Sequence, residues 1–462
     1  MLFVRTLVLL GCAVCLMAQS DTPQSGAQEP DTSQPETAQA SSNDEYTGPA
    51  ILSRGETPSQ QGAIPVAFRP YIGLNAIYQT GLIPVSVTSA KQIPTSDLFG
   101  LELNLGAYTY RAWEHTTLGL DYRGDFREYS QSYWDGTDQS ISLILTHRPN
   151  SRVTFTLRAT GGVYALNSYT LASPLGGLDP NFLQSPQNNI YDNRVIFANT
   201  AGDLTYRLTR RWSFNIGAEG GLVRRQSSAL YGNTDATARA DLEYRLSRHT
   251  TIGVDYTFRF YDYTKGFGNT YINSTGFNYS TQVSRHLQFS ARVGGARVES
   301  SSLTVVTLAP SVAALLGEST AIQAAYHLHY IPDAQARLTE TYQHSSFSLS
   351  YLNQVTPGNG VYLTSRNNSG MASYSFAGLQ HWNFSANVNY GRISGLVQTL
   401  GEYATYGAGV GLTRDLTRSL HAVLRVDASH FDVSGSTAFL HTEYRSSLGI
   451  TFSPGNVPLV LW

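Results

Sequence analysis

The sequence predicts an all-β protein: a transmembrane, antiparallel, up-and-down β-barrel of about 18 strands (range roughly 16–20), preceded by a disordered N-terminal segment. Three observations lead there. Aromatic residues that suit a pleated sheet are abundant, with 29 Tyr and 19 Phe beside 41 Gly and only 3 Met in 462 residues. Charged residues are only 14% of the chain, well below the roughly 25% of a soluble domain, so much of the surface is expected to face something other than water. From about Phe68 onward apolar and polar residues alternate in long runs separated by turn residues, which is the period of a two-faced strand.

Residues 1–18 read as a signal peptide, with Arg5 as its positive charge, Thr6 to Leu16 as a short apolar core and Ala18 as a small terminal residue. That core is too short to stay in a bilayer as a helix. Cys12 and Cys15 lie inside it and read as packing residues; the rival reading, a lipobox Leu9-Leu10-Gly11-Cys12, makes Cys12 a lipid-bearing terminus. Cleavage after Ala18 leaves a mature chain without cysteine, which suits an oxidising compartment without needing disulfides. Residues 19–66 are rich in Ser, Thr, Gln, Pro, Glu and Asp, with almost no large apolar side chain before Tyr46. They cannot bury a core and are expected to form a disordered periplasmic linker. The barrel is expected to occupy residues 67–462.

Taken in order, alternation and turn residues place strands near 70–82, 96–110, 116–131, 136–147, 151–167, 192–208, 212–227, 234–246 and 250–264. The rest fall near 270–283, 287–300, 330–341, 345–356, 367–378, 381–395, 403–415, 419–433 and 439–453. In the third, Leu118, Leu120, Tyr122 and Phe126 oppose Asp121, Arg123, Asp125 and Arg127. In the ninth, Ile252, Val254, Tyr256, Phe258 and Phe260 oppose Asp255, Thr257 and Arg259. A soluble sandwich alternates too, so the spacing of the turns decides. Short basic or His-bearing turns recur near 111–115, 147–150, 209–212, 247–249, 284–286, 343–345, 380–382 and 415–418, most of them 35 to 38 residues apart. The connections between them are longer, as at Asn167 to Asn193 and Ser300 to about Tyr330. Short turns on one side and long loops on the other are the asymmetry of an outer-membrane barrel, with the short side periplasmic. Pro310 to Gly317 has proline at its start and glycine at its end, the signature of a short helix, here within a long loop that is able to fold inward as a constriction. Trp113, Trp212 and Trp382 all sit at short turns, where a membrane-interface girdle of aromatics is expected.

Near the C-terminus Tyr444, Leu448, Ile450 and Phe452 share one face. That face resembles the terminal-strand signal read by the barrel-assembly machinery, with Phe452 or Trp462 as the operative aromatic. The chain continues as S-P-G-x-x-P-L-x-L-W to Trp462, and with this tail it resembles the outer-membrane β-barrel proteins of acidobacterial-type genomes, often taken to be associated with exopolysaccharide systems. The resemblance implies the barrel and its membrane, not a substrate.

Net charge is −2, so nothing basic argues for nucleic acid. No G-x-S-x-G elbow, Walker loop, H-E-x-x-H or paired cysteine site occurs after residue 18, and neither a cofactor nor a metal is expected. His115, His147, His249, His286, His344 and His381 fall at the short turns, where neighbouring hairpins are about 10 Å apart, too far to share one tetrahedral ion. The strongest lead is charge on the inward parity: Asp121, Arg123, Asp125, Arg127, Arg158, Arg239, Asp241, Glu243, Arg245, Asp255, Arg259, Arg292, Arg425 and Asp427. These are expected to line the lumen, as an ion-pair network that stiffens the wall, as a selectivity device for anions, or as both. Lysine is confined to Lys91 and Lys265, and arginine's planar fork suits either role. The function expected is a porin-like or export conduit for anionic solutes or exopolysaccharide, with outer-membrane lipid and the assembly machinery as partners. The alternatives are a non-conducting structural or adhesive barrel with ligand-binding loops, and an outer-membrane hydrolase using His430, Asp432 and His441.

Overall fold

The computed structural model describes residues 66–82, 96–164, 194–228, 230–264, 266, 268–396, 402–433 and 441–454. The expected signal peptide, Cys12, nearly all of the linker, the connection from Asn167 to Asn193 and Trp462 lie outside the described residues. Eighteen strands follow one another: β1 (Val66–Leu82), β2 (Ser96–Ala112), β3 (Thr116–Tyr129), β4 (Gly136–His147), β5 (Val153–Tyr164) and β6 (Val195–Arg207). Next come β7 (Trp212–Arg225), β8 (Gly232–Arg245), β9 (Thr250–Thr264), β10 (Asn269–Gln282), β11 (Leu287–Thr307) and β12 (Thr320–Thr341). The last six are β13 (Ser345–Thr356), β14 (Ser365–Leu379), β15 (Trp382–Gly395), β16 (Glu402–Asp415), β17 (Leu420–Val433) and β18 (His441–Phe452). Each pairs antiparallel with its sequence neighbours, and β1 closes the sheet by pairing with β18 from Ile72↔Phe452 to Thr80↔Tyr444. Closure removes both sheet edges, which is how strands satisfy their backbone in lipid.

The two faces differ as the alternation requires. Leu74, Leu101, Val254, Val388 and Leu448 point outward and are more than half exposed, a surface that suits hydrocarbon rather than water. Glu102, Arg127, Asp255, Asp427 and Arg445 point inward and are buried. The polar side of this barrel is its inside.

Three features depart from the sequence reading. β1 begins at Val66 rather than near 70, so Pro70 lies within a strand, opposite Ala107 of β2. The pairing with β18 starts only at Ile72, so proline's missing N–H falls where no β18 partner needs it. The stretch from Ser300 to Tyr330 is not a loop: β11 and β12 run on as a ribbon to Thr307↔Thr320, with the short helix α1 (Pro310–Leu316) at its tip and Gly317 left-handed (φ 71°) beyond it. The helix forms where its proline and glycine predict, but Leu315 is 86% exposed, so the tip projects outward and does not constrict the barrel. Polar Ser300-Ser301-Ser302 hid this ribbon, while Thr307 opposite Thr320 is a β-branched pairing that suits it.

The constriction comes instead from the connection between β13 and β14, residues 357–364. Asn359, Tyr362 and Thr364 there are at most 5% exposed. β13 leaves β12 after Ala334↔Asn353, and Val355 packs against Tyr261, Tyr263, Ile272, Val298 and Ile331 on the inner wall of β9–β12. Tyr362 packs on the opposite flank against Ile393, Tyr403 and Phe431 of β15–β17. Further across, Gly360 O accepts a hydrogen bond from the Tyr231 N–H (3.1 Å) after β7. Gly358 and Gly360 both have positive φ (76° and 92°), the backbone freedom this sharp inward turn requires.

Candidate functional site: the charged interior and its inward loop

The interior is built from side chains on one parity of successive strands, so carboxylates and guanidinium groups meet across the ladder. On β3, Arg123 Nε donates to Asp121 (3.0 Å), while Arg127 pairs with Asp138 of β4. Asp125 accepts from the Asn104 side chain of β2 (2.6 Å). Asp203 of β6 takes Arg158 of β5 (2.7 Å) and Arg239 Nε of β8 (3.0 Å) together. Arg292 of β11 joins four strands: it donates to Asp255 of β9 (2.6 Å) and Ser274 of β10 (2.8 Å) and pairs with Asp333 of β12 (2.7 Å). Arg425 grips Asp427 on β17 through Nε (2.7 Å). Arg445 of β18 reaches Glu102 of β2 (2.6 Å), bridging over β1 at the closing seam.

Other residues of the inward set are placed more loosely. Glu243 accepts from Ser213 (3.2 Å), and Arg245 stands at the short-turn end, its N–H bonded to Arg211 O (2.8 Å). Asp241 and Arg259 face inward on β8 and β9 outside these pairs, and Arg259 Nη1 is buried without a partner. The inward set therefore divides between the groups joined in these ion pairs and groups held in other ways. Sequence reading missed Glu102, Asp138, Asp203, Asp333 and Arg445, which take part in five of the eight ion pairs just described. All five share the inward parity of their strands, which was the signal available; Asp333 was obscured by Pro332 and the supposed loop before it.

Which partner faces water is decided pair by pair. The Arg425 side chain is 39% exposed against 12% for Asp427, and Arg239 is 34% against 22% for Asp203. In the β9–β12 cluster Arg292 is 14% against 3% for Asp255. In these three pairs the guanidinium is the more exposed member, whereas in Arg123–Asp121, Arg127–Asp138 and Arg158–Asp203 it is the carboxylate (18% against 13%, 7% against 2% and 22% against 20%). Gln335 and Arg337, inward on β12 below Asp333, are exposed outright.

The tryptophans lie at the short-turn rim: Arg111 sits 4.8 Å over the Trp113 ring, Arg414 5.1 Å over Trp382, and Trp212 packs on Tyr244 at 4.8 Å. Tyr444, Leu448, Ile450 and Phe452 project together from the outer face of β18, each at least 46% exposed. The rim histidines do not converge, and among the described residues no group of three or more His, Cys, Asp or Glu side chains is arranged to hold a metal ion. His430 lies on the outer face of β17, bonded to Thr442 (2.8 Å), with exposed Asp432 beyond it on the same face. The side chain of His441 lies outside the described residues.

No family model matches the chain, and no curated protein matches it. Among solved structures it is similar to Acinetobacter baumannii OccAB3, at 12% identity over 84% of this chain and 99% of that one, with a TM-score of 0.40. It is similar also to Pseudomonas aeruginosa OccK2 (OpdF) in complex with glucuronate (12%, 84% and 98%, TM-score 0.39) and to Pseudomonas aeruginosa OpdQ (12%, 84% and 97%, TM-score 0.37).

Proposed function

We propose that this barrel sits in the outer membrane as a porin-like conduit for small anionic solutes, narrowed toward its long-loop end by residues 357–364. The observation that carries the reading is the exposure of Arg239, Arg425 and Arg337 on the inner wall, where Arg239 and Arg425 are each more exposed than the Asp203 and Asp427 carboxylates they pair with. Accessible guanidinium groups concentrate anions and exclude like-charged cations, as charged rings do in pores. The inward loop favours small solutes over a polymer such as exopolysaccharide. The short turns with their tryptophans then face the periplasm, and the outer face of β18 is the segment offered to the assembly machinery.

A second reading, an adhesive barrel, is favoured by one feature, the projecting β11–β12 ribbon with Ile322, Tyr326 and Tyr330 at least 70% exposed. Planar-bilayer recording of the purified protein separates the two. The conduit predicts discrete conductance steps that grow severalfold when residues 358–361 are deleted. Folded protein that never conducts, with or without the loop, sinks it.

A further inference from the structure

The outer half of β12 carries a second polar cluster that the conduit does not use. His327 and His329 share the inward face of the strand, with ring centroids 6.3 Å apart and planes 13° from parallel. The Nε2 atom of each is shut off from solvent and makes no hydrogen bond. Directly opposite His327 on β11 stands Ser300, only 4% exposed, and its Oγ is buried without a partner, as is that of Ser302 one inward position further out. Buried polar atoms left unmet are costly, and four on one short stretch of wall point to something that meets them.

We propose that His327 and His329, assisted by the Ser300 hydroxyl, bind a divalent transition-metal cation, with Zn²⁺, Cu²⁺ and Ni²⁺ the ions that imidazole favours. Hard cations such as Ca²⁺ take six to eight oxygen ligands, roughly, and no carboxylate set accompanies these histidines among the described residues. A metal–nitrogen bond of about 2.1 Å places each ring centre roughly 3.2 Å from the ion, so a tetrahedral angle calls for centroids about 5.3 Å apart. The rings need to close by roughly 1 Å from where they stand, within reach of side-chain rotation. Two protein nitrogens leave coordination positions for Ser300 and water, the open pattern of an exchanging site rather than a closed four-ligand structural one. An ion has a way in, because β12 outward of Ala334 has lost its pairing with β13.

The test uses the full-length barrel in detergent micelles, titrated with Zn²⁺ alone by calorimetry. His327→Asn/His329→Asn is compared with the wild type and with a rim control, His286→Asn/His344→Asn. One equivalent is expected to bind the wild type and the rim control, with affinity at least tenfold weaker in the β12 variant. Cu²⁺ bound to the unmutated protein is expected to show coupling to two imidazole nitrogens by electron paramagnetic resonance, a readout independent of how any variant folds. Equal affinity in all three proteins, loss in the rim control instead, or no saturable binding to folded wild type overturns the proposal.

Discussion

Arg292 shows what a single inward side chain does in this wall. It neutralises Asp255 and Asp333, whose side chains are both 3% exposed, and donates to Ser274 as well. Removing one member of a buried pair leaves the other charged and unsolvated, which costs more than the pair itself contributes. Here one substitution would strand two carboxylates. Arg292→Met is expected to lower unfolding free energy by about 3 kcal/mol, read as a shifted denaturant midpoint in micelles. Arg425→Met strands only Asp427 and loses a guanidinium that is 39% exposed, so its effect on the same measurement is expected to be much smaller, well under about 1 kcal/mol. Equal losses in the two variants would mean that burial does not set the weight of these pairs. At the seam, Gly449 stands opposite Asn75, and a Cβ there would overlap the Leu74 carbonyl oxygen of the β1 backbone. Gly449→Ala is expected to impair closure, seen as a larger fraction of protein lacking the compact mobility of a folded barrel on unheated gels.

At the scale of elements, the inward loop is held by few bonds and by shape. Tyr263 Oη and Thr364 Oγ1 lie 2.9 Å apart and Thr364 also meets Thr270, all three buried, while Gly358 and Gly360 turn the chain through left-handed φ. Gly360→Val introduces strain in that conformation and also drives a side chain against Arg225 and the Tyr231 carbonyl. The loop is then expected to leave its seat, and bilayer recordings should show higher and noisier conductance than the wild type; an unchanged trace would mean that residues 357–364 do not limit flow. The loop also marks where sequence reading ran short. Strand existence was legible throughout, because an outward Val254 or Tyr444 beside an inward Asp255 or Arg445 repeats a period of two. Strand ends and loop direction were not, because they depend on contacts far apart in the chain. Tyr362 meets Ile393, Tyr403 and Phe431, which no local pattern announces, and the eight residues from Pro357 to Thr364 look like an ordinary turn. The helix at Pro310–Leu316 was legible from its own termini, yet its outward placement follows from the β11–β12 ladder beneath it.

For the whole molecule the question is what the sum of these charges does to a passing ion. Counting residues does not answer it, since carboxylates outnumber cations in the chain (33 Asp and Glu against 31 Lys and Arg). The answer lies in which partner of each pair touches the water path. Arg425 and Arg239 are the accessible members of theirs, so their fields reach an ion in the lumen while Asp427 and Asp203 are partly masked behind them. Arg239→Gln/Arg425→Gln removes the accessible charge from both pairs and leaves the carboxylates. The reversal potential under a KCl gradient is therefore expected to move from anion-preferring in the wild type toward cation preference in the double variant. The shift should be large at roughly 0.1 M salt, where the screening length is about 10 Å, and small near 1 M, where it falls to about 3 Å. If the double variant keeps the wild-type reversal potential at low salt, these arginines serve only to brace the wall and the anion selectivity lies elsewhere or is absent.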